Sequence, residues 1–251
     1  MKHIFIPSVL LGSAALLALT NSSHAAIVVT NTPQNSAFEV SSTDLLQAAG
    51  TTHINRNAAG DELTDTDSLF TRADGSDTTA GVSVLTDGAF GVAGGTPTSR
   101  AASAGIAGQD SSPFLSITYT FNTTINAFGY NLSEINIYTG WNDNGRDNPE
   151  YNLLYSTISA PDTFLQLASV NYTDGPGNVP ASIKSSVTDT TSFVAQGVKS
   201  VRFEFPRQEN DWVAYRELDV IGVAAVPEPT SAMMLGIGTA GLIGMIRRRK
   251  A

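Results

Sequence analysis

Ser116-Ile117-Thr118-Tyr119-Thr120-Phe121 alternates polar and apolar side chains residue by residue. A period of two puts every second side chain on one face of an extended chain, so the stretch reads as a strand half buried in a core. Val201-Arg202-Phe203-Glu204-Phe205 repeats the pattern, as does Ile135-Asn136-Ile137-Tyr138. Further short runs lie at Tyr151 to Ser156, Phe164 to Tyr172 and Leu218 to Ile221, with turn material such as Asn142-Asp143-Asn144-Gly145 and Asp174-Gly175-Pro176-Gly177-Asn178 around them. Many short strands broken by polar turns predict an all-β protein, an antiparallel β-sandwich or jelly roll.

Away from these runs the pattern weakens. Residues 50–108 are rich in Thr, Ser, Asp, Gly and Ala and poor in large apolar side chains. This composition predicts long loops over the sandwich, with turns at Asp74-Gly75 and Asp87-Gly88. Ser42-Thr43-Asp44-Leu45-Leu46-Gln47 predicts a helical turn capped by Ser or Thr.

The chain has 251 residues and 41% hydrophobic content, enough for one sizeable core. It has no cysteine, which excludes disulfides, thiolate metal sites and cysteine nucleophiles. Its net charge of −9 is unevenly divided, because 22 of the 23 acidic but only nine of the 14 basic residues lie between Ala26 and Val226. That span therefore carries −13. Such a charge repels phosphate backbones and argues against nucleic-acid binding, while serving solubility or attracting divalent cations.

Both termini carry targeting features. Lys2 precedes an apolar run from Ile4 to Leu19, and Ser23 and Ala25 are the small residues expected at positions −3 and −1 of a cut. Residues 1–25 thus predict a signal peptide, helical in its apolar part and handled by the Sec export machinery. Residues 26–225 are left as the sandwich ectodomain. Residues 226–251 form a tail in which Pro227-Glu228-Pro229 comes first, then an apolar stretch from Ala232 to Ile246, then Arg247-Arg248-Arg249-Lys250.

As a helix, that 15-residue stretch would be about 22 Å long at roughly 1.5 Å per residue, short of a hydrocarbon core about 30 Å thick. It reads as a marginal transmembrane helix, suited to transient anchoring in the inner membrane. The basic cluster acts as a stop-transfer signal that stays cytoplasmic, leaving the ectodomain outside. Gly236-Ile237-Gly238-Thr239-Ala240-Gly241 fits G-x-G-x-x-G, but it follows no strand and opens no βαβ unit, so it is not read as a dinucleotide site.

The order of Pro-Glu-Pro, short glycine-containing apolar stretch and terminal basic cluster resembles the PEP-CTERM sorting signal. The resemblance covers about 26 residues and implies processing by an inner-membrane exosortase, followed by release to the cell surface or extracellular matrix.

A second resemblance covers the region from Phe38 to Gly222. Leu85-Thr86-Asp87-Gly88, Ile117 to Phe121, Trp141 with Arg146, Tyr151 to Ser156, Val198 to Phe205 and Tyr215-Arg216-Glu217-Leu218-Asp219-Val220-Ile221-Gly222 follow the order of the galactose-binding-like, discoidin-type jelly roll. The tryptophan usual in that family shortly after the Asp-Gly is absent. The resemblance implies a structural calcium held by backbone carbonyls with Asp87 and Glu217, whose carboxylates are the hard oxygen ligands calcium takes. The competing reading has Asp87 making only a turn and Glu217 only a surface salt bridge.

Trp141, Asn142, Asp143 and Arg146 form a candidate sugar-contact stretch, since an aromatic ring stacks on a pyranose face and amides read its hydroxyls. Alternatively Trp141 packs against the sandwich and Arg146-Asp147 braces the loop. Trp212 and Tyr215 pose the same choice. The acidic series Asp61, Glu62, Asp65, Asp67, Asp74 and Asp77 lacks the spacing of an EF-hand and reads as a solvated loop.

Catalysis has little support. His53 is the only histidine beyond the leader, and no G-x-S-x-G accompanies it. The sequence thus points to a non-catalytic, exported surface protein whose ectodomain binds extracellular polysaccharide. The alternatives are a structural surface component without a small ligand, or a glycan hydrolase working through paired carboxylates.

Overall fold

The structure, a computed structural model, describes residues 26–66, 81–91, 99–101, 115–141, 147–173, 182–206 and 213–226. The expected signal helix of residues 1–25, the expected apolar helix of 232–246, the triplet Pro227-Glu228-Pro229 and the basic cluster 247–250 lie outside the described residues. No helix of the described residues is long and apolar enough to cross a membrane.

Eleven strands are described: β1 (Ile27–Gln34), β2 (Thr52–Arg56), β3 (Glu62–Leu63), β4 (Ser99–Ala101), β5 (Leu115–Thr120), β6 (Tyr130–Thr139), β7 (Glu150–Thr157), β8 (Leu165–Asn171), β9 (Ser182–Asp189), β10 (Ala195–Phe205) and β11 (Val213–Ala224). Every pairing among them is antiparallel. One layer runs β1-β9-β6-β11-β4 and the other β3-β2-β5-β10-β7-β8. They are joined where the start of β10, at Ala195 and Val198, pairs with Leu132 and Tyr130 of β6 before β10 crosses to β5 and β7.

The two layers face each other across one core. Ile135, Ile137, Val187, Leu218 and Val220 come from the first layer, and Ile117, Leu153, Val201, Phe203 and Phe205 from the second. Polar contacts also cross it: the Tyr151 hydroxyl lies 2.7 Å from Ser185 Oγ, and the Tyr215 hydroxyl donates to the Glu150 carbonyl at 2.5 Å. The alternation that predicted these strands is visible in β5, where Leu115, Ile117 and Tyr119 are buried and their neighbours half-buried.

Two expectations need correction. The stretch Ser42 to Gln47 forms non-helical turns. Asp44 Oδ1 accepts the Leu46 N–H at 2.6 Å, and the Leu45 N–H donates to the Val220 carbonyl at 2.9 Å. These bonds satisfy the backbone against the sheet and leave nothing for a helical turn to supply.

The region 50–108 also holds more than loops: β2, β3, β4 and a 3-10 helix, Val82–Thr86. β2 went unread because Asn55 is its only buried residue, so no apolar alternation marks it. It forms by pairing its backbone with β5.

The outer face of the β6–β11 pair is covered as well. Phe38, Phe90 and Tyr138 meet there with ring centroids 5.7 to 6.2 Å apart. That cover explains why Val213 to Val220 are buried without a break, where a one-sided strand would alternate.

Candidate functional site: a buried carboxylate cluster

Under that cover β11 carries two acids on one face. Glu217 stands opposite Tyr138 of β6, and Asp219 stands opposite Asn136. Between Tyr215, opposite Thr139, and Glu217 the register gains one residue, Arg216. This bulge allows Tyr215 to enter the core while Glu217, two residues on, takes the opposite face. Tyr215 packs tilted against Phe205 there, with centroids 4.5 Å apart and ring planes at 54°.

Asp44, from the turn that docks onto Val220, completes the group. One carboxylate oxygen from each of Asp44, Glu217 and Asp219 lies within 4.8 Å of the others, and all three residues are buried. Each carboxylate is fixed by a backbone donor: Leu46 N–H to Asp44 Oδ1, Gly88 N–H to Glu217 Oε1 at 3.1 Å, and Ser41 N–H to Asp219 Oδ2 at 2.9 Å. The Tyr138 hydroxyl adds a bond to Asp219 Oδ2 at 3.1 Å. The other oxygen of each, Asp44 Oδ2, Glu217 Oε2 and Asp219 Oδ1, is buried without a hydrogen-bond partner.

Burial and mutual repulsion make ionisation costly here. Desolvation, with the neighbouring Asp219, Asp87 and Asp44 charges, pushes Glu217 from its ordinary 4.5 up to about 9, against the lowering effect of its Gly88 bond. Desolvation raises Asp44 to about 6, and Asp219 is raised for the same reason. Among the described residues no lysine or arginine forms an ion pair with the three. The guanidinium of Arg216 instead donates to the Gly140 carbonyl at 3.0 Å.

Three clustered, buried carboxylates that each keep one partnerless oxygen, with no lysine or arginine ion-paired to them among the described residues, fit a hard divalent cation. Calcium takes oxygen ligands at about 2.3–2.6 Å and tolerates irregular geometry.

Of the two residues read from sequence, Glu217 lies in this cluster. Asp87 stands beside it: its Oδ1 accepts the Ala89 N–H at 2.9 Å, and the next residue, Gly88, delivers its N–H to Glu217. Gly88 has φ +75°, and a Cβ there would lie 2.9 Å from Gln47 Nε2, so the Asp-Gly turn needs this glycine.

Asp44 and Asp219 were missed. Asp219 had a signal, being two residues from Glu217 and so on the same face of a strand. Asp44 had none beyond its acidity, because the contact that brings it in spans the whole fold.

The remaining candidates are dispersed. Trp141 follows β6 and is 8% exposed, while Asn142, Asp143 and Arg146 lie outside the described residues. Tyr215 is fully buried, and Trp212 is outside the described residues. In the acidic series Asp61 bonds to Asn57, Glu62 lies 3.9 Å from Arg56, and Asp65 accepts from Asn55 at 2.7 Å and meets His53 Nε2 at 2.9 Å. Asp67, Asp74 and Asp77 lie outside the described residues.

Comparison with known proteins adds two findings. Residues 225–250 match the PEP-CTERM protein-sorting motif, so the chain carries an export and sorting signal of the kind exosortase processes. No curated protein matches the chain. Among solved structures it is similar to the CBM32-5 module of CpGH89 from Clostridium perfringens, in complex with GalNAc-β-1,3-galactose, at 12% identity and TM-score 0.42, over 71% of this chain and 99% of that one. The family 32 CBM of C. perfringens NanJ, in complex with galactose, aligns at 13% identity and TM-score 0.41, over 71% and 97%. The C-terminal domain of a chitobiase from Bacteroides fragilis aligns at 19% and 0.37, over 66% and 100%.

Proposed function

We propose that this exported protein presents, at the cell surface or in the extracellular matrix, a non-catalytic polysaccharide-binding β-sandwich braced by a bound calcium ion. The calcium part rests on one observation: Asp44, Glu217 and Asp219 are buried with a carboxylate oxygen of each within 4.8 Å of the others, and each keeps one buried oxygen without a hydrogen-bond partner. Calcium would join the turn at Asp44, the loop at Gly88 and β11, three segments far apart in sequence. Bound there it supplies only positive charge, and the carboxylates do the holding.

The polysaccharide part is supported by the aromatic and amide-rich stretch from Trp141 to Asp147, which follows the last strand residue of β6. Its test is a glycan array probed with the purified span Ala26 to Ala225, with and without calcium. Binding that falls when calcium is removed supports the reading. Absence of binding to every glycan, with Trp141→Ala changing stability alone, overturns it. The burial of Trp141 favours a second reading, a structural surface component without a small ligand, and that same outcome would establish it.

A further inference from the structure

Both ends of the sandwich domain leave it on the same side. β1 begins at Ile27 opposite Asp189, the last residue of β9, and β9 runs antiparallel to β6 with Thr188 opposite Glu134. β11 ends with Ala224 opposite Tyr130, the first residue of β6, and the Ala225 N–H donates to the Gly129 carbonyl at 2.9 Å. The expected leader junction at Ala26 is therefore level with the first half of β6, near Ser133, and the tail junction at Val226 lies just beyond the start of β6. The stretch 141–147 follows the far end of β6, ten residues away, or about 33 Å at roughly 3.3 Å per residue.

The same end is where apolar side chains are left bare. Of the seven exposed large hydrophobic residues among those described, Ile125, Phe128, Val223 and Val226 belong to it. Continuing the β6–β11 register by one pair beyond Ala225 and Gly129 sets Val226, 76% exposed, opposite Phe128, 54% exposed. Ile125, 67% exposed, lies in the turn just before them, closed by the Asn126 N–H to the Asn122 carbonyl at 3.3 Å.

We propose that this end rests on the bilayer surface. Ile125, Phe128 and Val226 would enter the interfacial zone while the apolar tail stretch beginning at Ala232 is inserted. Six residue steps from Val226 to Ala232 span at most about 21 Å even when fully extended, so the patch cannot stand far from the membrane. A tether this short holds the patch at an effective concentration on the order of millimolar, so weak contacts suffice. The span's net charge of −13 gives no attraction to anionic lipid, which leaves apolar insertion as the driving contact. This docking would turn the far end of β6, which Trp141 follows, away from the membrane; only the use of that end for sugar contact rests on the polysaccharide reading, and the docking does not.

The absence of cysteine makes the test direct. The full chain is reconstituted in phosphatidylethanolamine–phosphatidylglycerol vesicles, with a single environment-sensitive fluorophore attached through Ile125→Cys or Phe128→Cys. A third label, through Ala59→Cys in the exposed β2–β3 turn at the opposite end, is the control. Quenching by lipid-borne doxyl groups and a blue shift are expected at residues 125 and 128, and neither at residue 59. Equal signals at all three sites, or none at residues 125 and 128, overturn the proposal. So does a blue shift there that follows protein density without lipid quenching, which would mean a second copy covers the patch. If quenching appears while the glycan array is blank, the docking stands and the polysaccharide reading falls.

Discussion

Glu217 has one oxygen anchored by the Gly88 N–H and the other buried without a partner. A neutral amide can keep the first contact but cannot supply the charge a cation needs. Glu217→Gln should therefore fold, yet lose its thermal response to calcium. For the parent, calcium at 100 times its Kd should stabilise by about 2.7 kcal/mol, read by calorimetry against an EDTA sample. A parent melting temperature indifferent to EDTA, or a variant that still responds, would remove calcium from this site. The pH response carries a second expectation. With calcium chelated, Glu217 and Asp44 ionise less readily when folded than when unfolded, near 9 against 4.5 and near 6 against 3.8. Folding stability is then fully present below the unfolded values and falls as pH rises, through about 6 for Asp44 and on to about 9 for Glu217. Saturating calcium, which binds the deprotonated ligands, should abolish or reverse that slope. Denaturation midpoints between pH 4 and pH 9 measure both curves.

Among the elements, the turn from Asn122 to Gly129 sets how β5 hands over to β6. Gly129 has φ +75°, and a Cβ there would lie 2.5 Å from the Val198 carbonyl oxygen, in rigid backbone where β10 also pairs. Gly129→Ala should cost roughly 1–3 kcal/mol through strain at a left-handed position, and more if β10 must shift. Urea denaturation would detect it, and an unchanged midpoint would show that this turn has room to relax. The Arg216 bulge works at the same scale. Because strand side chains alternate, one inserted residue decides whether Glu217 faces the covered outer side or the apolar core beside Tyr215. β6 has a matching irregularity, two residues against one at Ser133-Glu134, which lets Leu132 and Ile135 both reach the core.

For the molecule as a whole, destination is set by a segment outside the sandwich. The match over residues 225–250 marks the chain for sorting, and the Pro227-Glu228-Pro229 triplet lies within it. Replacing Glu228 with Ala should leave the protein in the inner-membrane fraction, where fractionation and immunoblotting would find it. Normal release of that variant would deny the triplet its sorting role. The tail leaves the sandwich at the end that carries Ile125 and Phe128, so a failure to release would also hold that exposed apolar patch near the membrane.

What could be read directly from sequence was whatever depends on neighbours along the chain. The Pro-Glu-Pro, apolar and basic order of the tail is contiguous, and so is the alternation that marked β5, β6 and β10 as strands. Glu217 was reachable because it belongs to a continuous strand motif. β2 was not, since its partner is a backbone 60 to 68 residues away rather than a pattern of its own side chains. Asp44 needed the fold most: its turn joins the site through the Leu45–Val220 hydrogen bond, across 175 residues. No local periodicity encodes such a contact. A carboxylate cluster assembled from a turn and a bulged strand exists only once the layers have packed, because burial is what brings Asp44, Glu217 and Asp219 together and leaves one oxygen of each without a hydrogen-bond partner.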